Sequence, residues 1–513
     1  MAANEIEFRT CPITGKKVYA TTQNLMWINA VTAVVFILIG GIMALLVALT
    51  RLPAVHLLSP EWFYKALTAH GLNMLVFWIV FFEVAGLYFG SSVLLNSRLA
   101  APKVAWLAYI LMLVGSVLVD VMVFTDNATV MFTSYVPLQA HPLYYLGIIL
   151  FAVGALTACG IFFGTLAIAK ADKTYEGSLP LVTFGLSAAA IIAVFTLACG
   201  AIIYIPTLLW SIGLIKNLDP GMYRLIFWGF GHSSQQINVT AMVSIWYLLG
   251  ALTVGAKPVN EKICRSAFVL YILFINMASE HHLLTDPTLS PAHKIANTSY
   301  FIYLAVLASM IHALAIPMAV EVAQRKKGYT KGLFEWLTKA PWGEPGFPAM
   351  IFSLVIFGFI GGITGVVYGT EQLSIKSHNT WAITGHFHAT VVGGTTLAFM
   401  GLTYYVIPLI FRREIIGKKW ASAQPYVYAI GMILLILGMS GAGTLGSPRR
   451  HWDVTFADSI IPFSFDPTVL LFTTIAAIGG LLAAVGGAMY VGVSVLSVFL
   501  GRKLAPNEAK LVY

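Results

Sequence analysis

Six histidines stand inside or at the edges of long apolar runs: His70, His232, His281, His282, His386 and His388. Neutral imidazole suits copper, iron and zinc. A metal-binding side chain in a lipid-embedded stretch is costly enough to mark a functional site. Spacing sorts the six by what they can do. Residues two apart on a helix point about 200° apart, so His386 and His388 cannot grip one ion together. They can ligate two hemes on opposite sides of one helix, which suits rapid electron transfer between two centres. His281 and His282 are adjacent, and at a frayed helix end both rings can turn toward a single ion. His232 can bring that ion a third imidazole.

These rings need a scaffold, and composition says which kind. Of 513 residues, 58% are apolar and 10% charged, with a mean hydropathy of +0.83; a soluble domain is about a quarter charged. Most of the chain must therefore face lipid or other apolar helices, and the fold class is an all-α polytopic membrane protein. A spanning helix needs about 20 mainly apolar residues. Twelve segments qualify, at roughly 25–50, 68–96, 104–125, 142–169, 182–215, 222–255, 264–285, 294–322, 347–371, 378–411, 426–446 and 467–500. The domain plan is a tail over 1–24, one twelve-helix catalytic unit over 25–500 and a tail over 501–513. With the N-terminus inside, 22 of the 30 Lys and Arg fall on cytoplasmic segments; the other eight are Arg51, Lys65, Lys216, Arg224, Lys294, Lys376, Arg449 and Arg450. That asymmetry fits twelve helices with both termini cytoplasmic. It also puts all six histidines, from four helices, in the outer half of the bilayer, where satisfied core histidines would share no depth.

The net charge of +9 does not signal nucleic acid, because the basic residues sit in short clusters between apolar runs. Cys11, Cys159, Cys199 and Cys264 lack metal-ligand spacing and read as inert thiols. The polar start, MAANEIEFRTCPITGKKVYA, is not a secretory signal. The expected location is a prokaryotic inner membrane.

The chain resembles subunit I of the heme-copper oxidase superfamily over nearly its whole length. The stretches that carry the likeness are TAHG at His70, WGFGHSSQQ at His232, HHLLTDP at His281 and His282, GHFHATVVGG at His386 and His388, and GSPRRHWD at Arg449. The resemblance implies two hemes and a copper ion: His70 and His388 on a low-spin heme, His386 on a high-spin heme, and His232, His281 and His282 on copper, with non-heme iron as the alternative metal. It also implies that Arg449 and Arg450 bind heme propionates through charge-assisted contacts.

One departure bears on function. The common oxygen reductases carry a tyrosine four residues after the helix VI histidine, cross-linked to a copper ligand and able to give up an electron and a proton. This sequence has Gln236 there, one turn past His232 and on its face. A further oxidase type places the tyrosine six residues before the histidine pair, where this chain has Ile275. Tyr247 and Tyr271 stand too far from the ligands to substitute. An amide cannot be oxidised as a phenol can. Cleaving O2 demands four electrons, whereas reducing two NO to N2O needs two electrons and two protons. The expectation is therefore nitric oxide reduction near the B-type branch, with Gln236 and Glu280 as candidate polar groups beside the metal; terminal oxygen reduction is the alternative. Glu321, Tyr247, Thr240 and Ser309 suggest a single hydroxyl-lined proton path. No Cys-x-x-x-Cys or Cys-x-x-Cys-His motif is present, so electrons should arrive from a separate subunit with a binuclear copper or c-type heme domain.

Overall fold

The computed structural model describes residues 7–456, 460, 466–505 and 508. Most of them are helical. The spans, in chain order, are α1 (Ala20–Arg51), α2 (Pro60–Val93), α3 (Pro102–Phe124), α4 (Pro142–Ala171), α5 (Leu181–Ser211) and α6 (Pro220–Val254). They continue with α7 (Glu261–Leu270, prolonged by the π-helical turn Tyr271–Ile275), α8 (Pro291–Lys326), α9 (Gly346–Gly369), α10 (Trp381–Leu409), α11 (Lys418–Thr444) and α12 (Thr468–Leu500). Ahead of α1, β1 (Phe8–Thr10) and β2 (Lys17–Tyr19) form an antiparallel hairpin in the register Phe8↔Tyr19, Arg9↔Val18 and Thr10↔Lys17.

Eleven of the twelve helices are long and apolar enough to cross a membrane; α7 is the exception. The sequence pattern ran it to residue 285, but its helix stops short of the 3-10 turn Ser279–Leu283. The backbone leaves the α region at Ala278, just ahead of the two adjacent histidines. The N-terminal tail is shorter than the apolar pattern implied, because α1 starts at Ala20. The tails 1–24 and 501–513 lie partly outside the described residues.

Helices adjacent in sequence pack side by side, α3 on α4, α5 on α6 and α11 on α12. Small residues permit the last of these: a β-carbon at Gly438 or Gly479 would land on the backbone of the facing helix, a close approach of the kind membrane interfaces rely on. The bundle is graded from lipid to core. In the most apolar 18-residue window of each span, 89% of α10, 78% of α6 and 72% of α2 is buried, against 28% of α1 and α8. The three innermost spans are those that carry His70, His232, His386 and His388.

Candidate functional site

One apolar cavity of about 570 Å3 runs through the centre of the bundle, and all six histidines line it together with Arg449 and Arg450. The convergence expected from depth is thus met by residues on α2, α6, α10 and the turn after α7.

His70 on α2 and His388 on α10 face each other across the cavity, their ring centroids 6.1 Å apart and their planes 24° from parallel. Two metal–imidazole bonds of about 2 Å each and the two ring radii fill that span. Each ring is held by its Nδ1–H, His70 donating to the Gly40 carbonyl at 3.0 Å and His388 to the Thr384 carbonyl at 2.8 Å. Backbone acceptors on Nδ1 leave Nε2 as the atom each ring could offer to a metal. A π-helical turn begins three residues past His70, at Asn73–Phe77, and another begins at His388 itself, His388–Thr396. Such turns widen the local pitch and are common at functional sites.

His386 projects to the other side of α10. Its Nδ1–H meets Thr364 Oγ1 on α9 at 3.0 Å, and that hydroxyl donates onward to the Ile360 carbonyl at 2.6 Å. Thr364 is therefore an acceptor, and His386 Nε2 is free for a metal. Gly365 lets α9 come this close, because a β-carbon there would sit 3.0 Å from His386 Cε1.

The third group is His232, His281 and His282, which offer ligand atoms within 4.8 Å of one another. His232 Nδ1 lies 3.1 Å from His282 Nε2, so Nδ1 is the metal-facing atom of His232. His281 donates from Nδ1 to the Ala278 carbonyl at 2.5 Å and presents Nε2. Trp228, one turn before His232, stacks on His282 at 3.8 Å and 8°. Arg224 on α6 pairs with the nearly buried Asp286 at 2.9 Å, pinning the histidine turn to α6. In the sequence both braces show only as a Trp and an Arg near the start of α6.

The cavity walls fit large planar groups. Small residues are part of the lining, and a β-carbon on Gly41 or Gly487 would meet nothing within 4 Å. At one end Arg449 and Arg450 make no ion pair among the described residues. Burial first, and the Arg450 charge second, pull the Arg449 guanidinium down from its ordinary value to about 9. Two buried cations side by side call for anions, which heme propionates would supply. Arg51, at the end of α1, fixes this loop by donating to the carbonyls of His451 at 2.9 Å and Pro448 at 2.8 Å. The loop is also tied to the start of α10, where the Arg449 N–H donates to the Asn379 carbonyl at 2.9 Å. Arg51 was visible in the sequence only as one of eight outer cations.

The chain matches the sequence family described as Cytochrome C and Quinol oxidase polypeptide I over residues 24–482. It belongs to that family. Among its relatives is cytochrome c oxidase subunit 1 of Thermus thermophilus, 29% identical over 456 residues, covering 87% of this chain and 78% of that one. Another is the heme-copper oxidase subunit I+III of Aeropyrum pernix, 24% identical over 511 residues, 93% of this chain and 57% of that one. A solved structure of a heme-copper terminal oxidase dimer superposes with a TM-score of 0.89 at 26% identity, covering 96% of this chain and 86% of that one. The protein is a heme-copper oxidoreductase subunit and a multi-pass protein of a prokaryotic inner membrane.

Within this oxidase family frame, the remaining candidates separate. Gln236 lines the cavity, and its amide nitrogen lies 3.2 Å from His232 Nε2. If His232 offers Nδ1 to a metal, its Nε2 carries the proton and donates to the oxygen of the Gln236 amide. Glu280 does not join the cluster. A 3-10 turn rotates about 120° per residue, so the residue before His281 is swung away, and its carboxylate faces His293 at 3.8 Å. Of the hydroxyl path, Ser309 lines the cavity and meets Tyr271 at 2.9 Å, and Tyr247 meets His312 Nδ1 at 2.9 Å. Thr240 instead donates to the Gln236 carbonyl at 2.7 Å, the local bond that Ser and Thr commonly make in helices. Glu321 pairs with Arg325 one turn on, at 2.7 Å, far along α8 from Ser309.

Proposed function

We propose that this chain is the catalytic subunit of a respiratory enzyme that reduces nitric oxide, 2 NO + 2 e− + 2 H+ → N2O + H2O. In this reading His70 and His388 hold a low-spin heme, His386 a high-spin heme, and His232, His281 and His282 a copper ion. When bound, these groups supply electron transfer and the binding and reduction of the gas. Copper is favoured over non-heme iron because the cluster holds three imidazoles and, among the described residues, no carboxylate; non-heme iron commonly takes two histidines and a carboxylate.

The observation that carries the reading is the Gln236 amide on the His232 ring edge. The resemblance puts a redox-active phenol at that position in oxygen reductases. Gln236 can hold the His232 ring in its metal-facing tautomer and order water or gas-derived oxygen in the cavity, but it cannot supply a hydrogen atom. Tyr271 and Tyr247 are engaged with Ser309 and His312 and do not replace the phenol. Arg449 and Arg450 would anchor propionates, and Ser309 with Tyr271 would bring protons to the cavity. Glu280 has no part in this account, since its carboxylate faces His293.

Electrons would come from a partner subunit with a binuclear copper or c-type heme domain. Oxygen reduction is the second reading, favoured by the names of relatives such as the Thermus thermophilus cytochrome c oxidase subunit. Parallel NO and O2 turnover by the purified complex separates the two.

A further inference from the structure

A buried carboxyl group inside a spanning helix is costly enough to mark a role, and Asp120 of α3 is only 8% exposed. It makes no ion pair among the described residues. Its Oδ1 accepts from Asn73 Nδ2 of α2 at 2.8 Å. Asn73 is fully buried, and its Nδ2 also donates to the Ala69 carbonyl at 2.9 Å. Both partners accept, so the amide nitrogen must face them, which fixes the side chain's orientation. Asn73 also opens the π-helical turn Asn73–Phe77, three residues past His70. Neither Asn73 nor Asp120 lines the central cavity, so neither touches a group held there.

From Asn73 a short chain of contacts leads to His70. Asn73 packs on Gly40 of α1: a β-carbon on Gly40 would lie 3.1 Å from Asn73 Cβ and 2.6 Å from Met74 Cγ. The Gly40 carbonyl is the acceptor for His70 Nδ1–H at 3.0 Å. The side chain that Asp120 holds is thus pressed against the residue that orients the His70 ring. Asn73 braces the His70 turn from its other side as well, since its own N–H donates to the carbonyls of Ala69 and His70. A hydrogen bond from the far nitrogen of a ligating imidazole raises the ring's basicity, and a more basic ligand favours ferric over ferrous iron. Such outer hydrogen bonding is one of the protein's levers on a heme potential. Polar pairs also serve simply as glue between membrane helices; a pair that only glued α2 to α3 would affect stability and leave the potential alone.

We propose that Asp120 is a positioning residue for the low-spin heme: by holding Asn73 against Gly40 it keeps the Gly40 carbonyl on His70 Nδ1–H, and so keeps the potential of that heme low. Without the acceptor at position 120 the Asn73 amide is free to turn, the contact with Gly40 loosens and the His70–Gly40 bond weakens. The ring becomes less basic and the potential rises. The proposal rests on the reading of His70 and His388 as ligands of one heme and is independent of which gas is reduced.

The test is a redox titration of the low-spin heme in the intact complex, followed by its optical bands. Asp120→Leu keeps bulk and removes the acceptor. At the wild-type midpoint its reduced-to-oxidised ratio should rise about threefold, less than the roughly 10–100-fold carried by a direct partner of a ligand, because Asp120 stands two contacts further out. Asp120→Asn, which keeps an acceptor oxygen, should titrate close to wild type. Asp120→Leu added to Asn73→Ala should give no further shift, since both changes cut one chain. An unmoved potential in Asp120→Leu makes the pair mere glue and overturns the proposal; an equal shift in Asp120→Asn traces the effect to charge and overturns the hydrogen-bond route. Should Asp120→Leu fail to take up hemes, Asn73→Ala decides: a raised potential supports the role, and a wild-type potential refutes it. His70→Ala separates the two levels of the argument. A surviving low-spin signal there sinks the ligand reading and this proposal with it, whereas loss of that signal beside an unmoved Asp120→Leu potential sinks this proposal alone.

Discussion

The Gln236 amide lies 3.2 Å from His232 Nε2, on the ring edge opposite the Nδ1 that approaches His282. In the proposed reading, the side chain at position 236 would therefore act on the metal cluster through a ligand as well as through the cavity. The consequences can be tested residue by residue.

The purified protein should contain two hemes and one copper per chain. His70→Ala or His388→Ala should abolish the low-spin optical and electron paramagnetic resonance signals and spare the high-spin ones, because the two rings face each other across 6.1 Å. Survival of both heme signals in either variant would show the ligand pairing to be wrong.

Thr364→Val should loosen the high-spin centre. The hydroxyl that accepts from His386 Nδ1 disappears while shape is kept, and losing such an outer partner typically costs about 10–100-fold in affinity or activity. A shifted iron–histidine stretch in the resonance Raman spectrum, with the low-spin bands unmoved, is the specific sign. An unshifted band would mean that Thr364 only packs.

Asp286→Asn should release copper before heme, since Asp286 ties the histidine turn to Arg224. Burial pushes this carboxyl up, but the Thr288 N–H and hydroxyl and the Arg224 charge outweigh it and hold it below the usual carboxylate range. A depressed value contributes stability that is present above the unfolded carboxylate pKa of about 3.9 and is lost as pH falls through the folded one. The Asp286–Arg224 tie should therefore stay intact until the solution is more acid than that, and copper lost at higher pH should follow protonation of the imidazole ligands instead. Losing one charged hydrogen bond at a pair whose carboxylate is buried should cost about 1–3 kcal/mol, read as copper content against chelator concentration.

Much of this site was legible because lipid makes polar residues conspicuous. Six histidines in apolar runs on four helices gave the convergence, and the spacing of His386 and His388 gave two opposed faces that the structure keeps. What braces them was not legible. The acceptors for His70 and His388 are the backbone carbonyls of Gly40 and Thr384, which no side-chain pattern announces. The π-helical turns after His70 and at His388 leave no mark in hydrophobic periodicity, since a single wide turn shifts the apolar stripe by less than one residue's breadth. Glu280 misled because adjacency in sequence was taken for adjacency at the metal, and a 3-10 turn sends neighbours in different directions.

The orientation, with both termini cytoplasmic, rests on the loop cations. Reporter fusions at Lys327 and Lys418 should give cytoplasmic signals, and one at Lys376 an external signal. Asp458 is assigned to the outer face on the same grounds and lies outside the described residues. A cytoplasmic signal at Lys376 would reverse the depth assigned to the histidines.

The central claim, that an amide at position 236 commits the centre to nitric oxide, is tested most directly by NO consumption, N2O formation and O2 uptake of the purified complex under matched electron supply, for wild type and Gln236→Leu. The account predicts that wild-type NO reduction is substantially faster than complete O2 reduction. It also predicts that Gln236→Leu, which keeps bulk and removes both hydrogen-bonding groups, loses at least ~10²-fold of the NO rate with both heme spectra nearly unchanged. Vigorous four-electron O2 reduction by the wild type without NO turnover would contradict it.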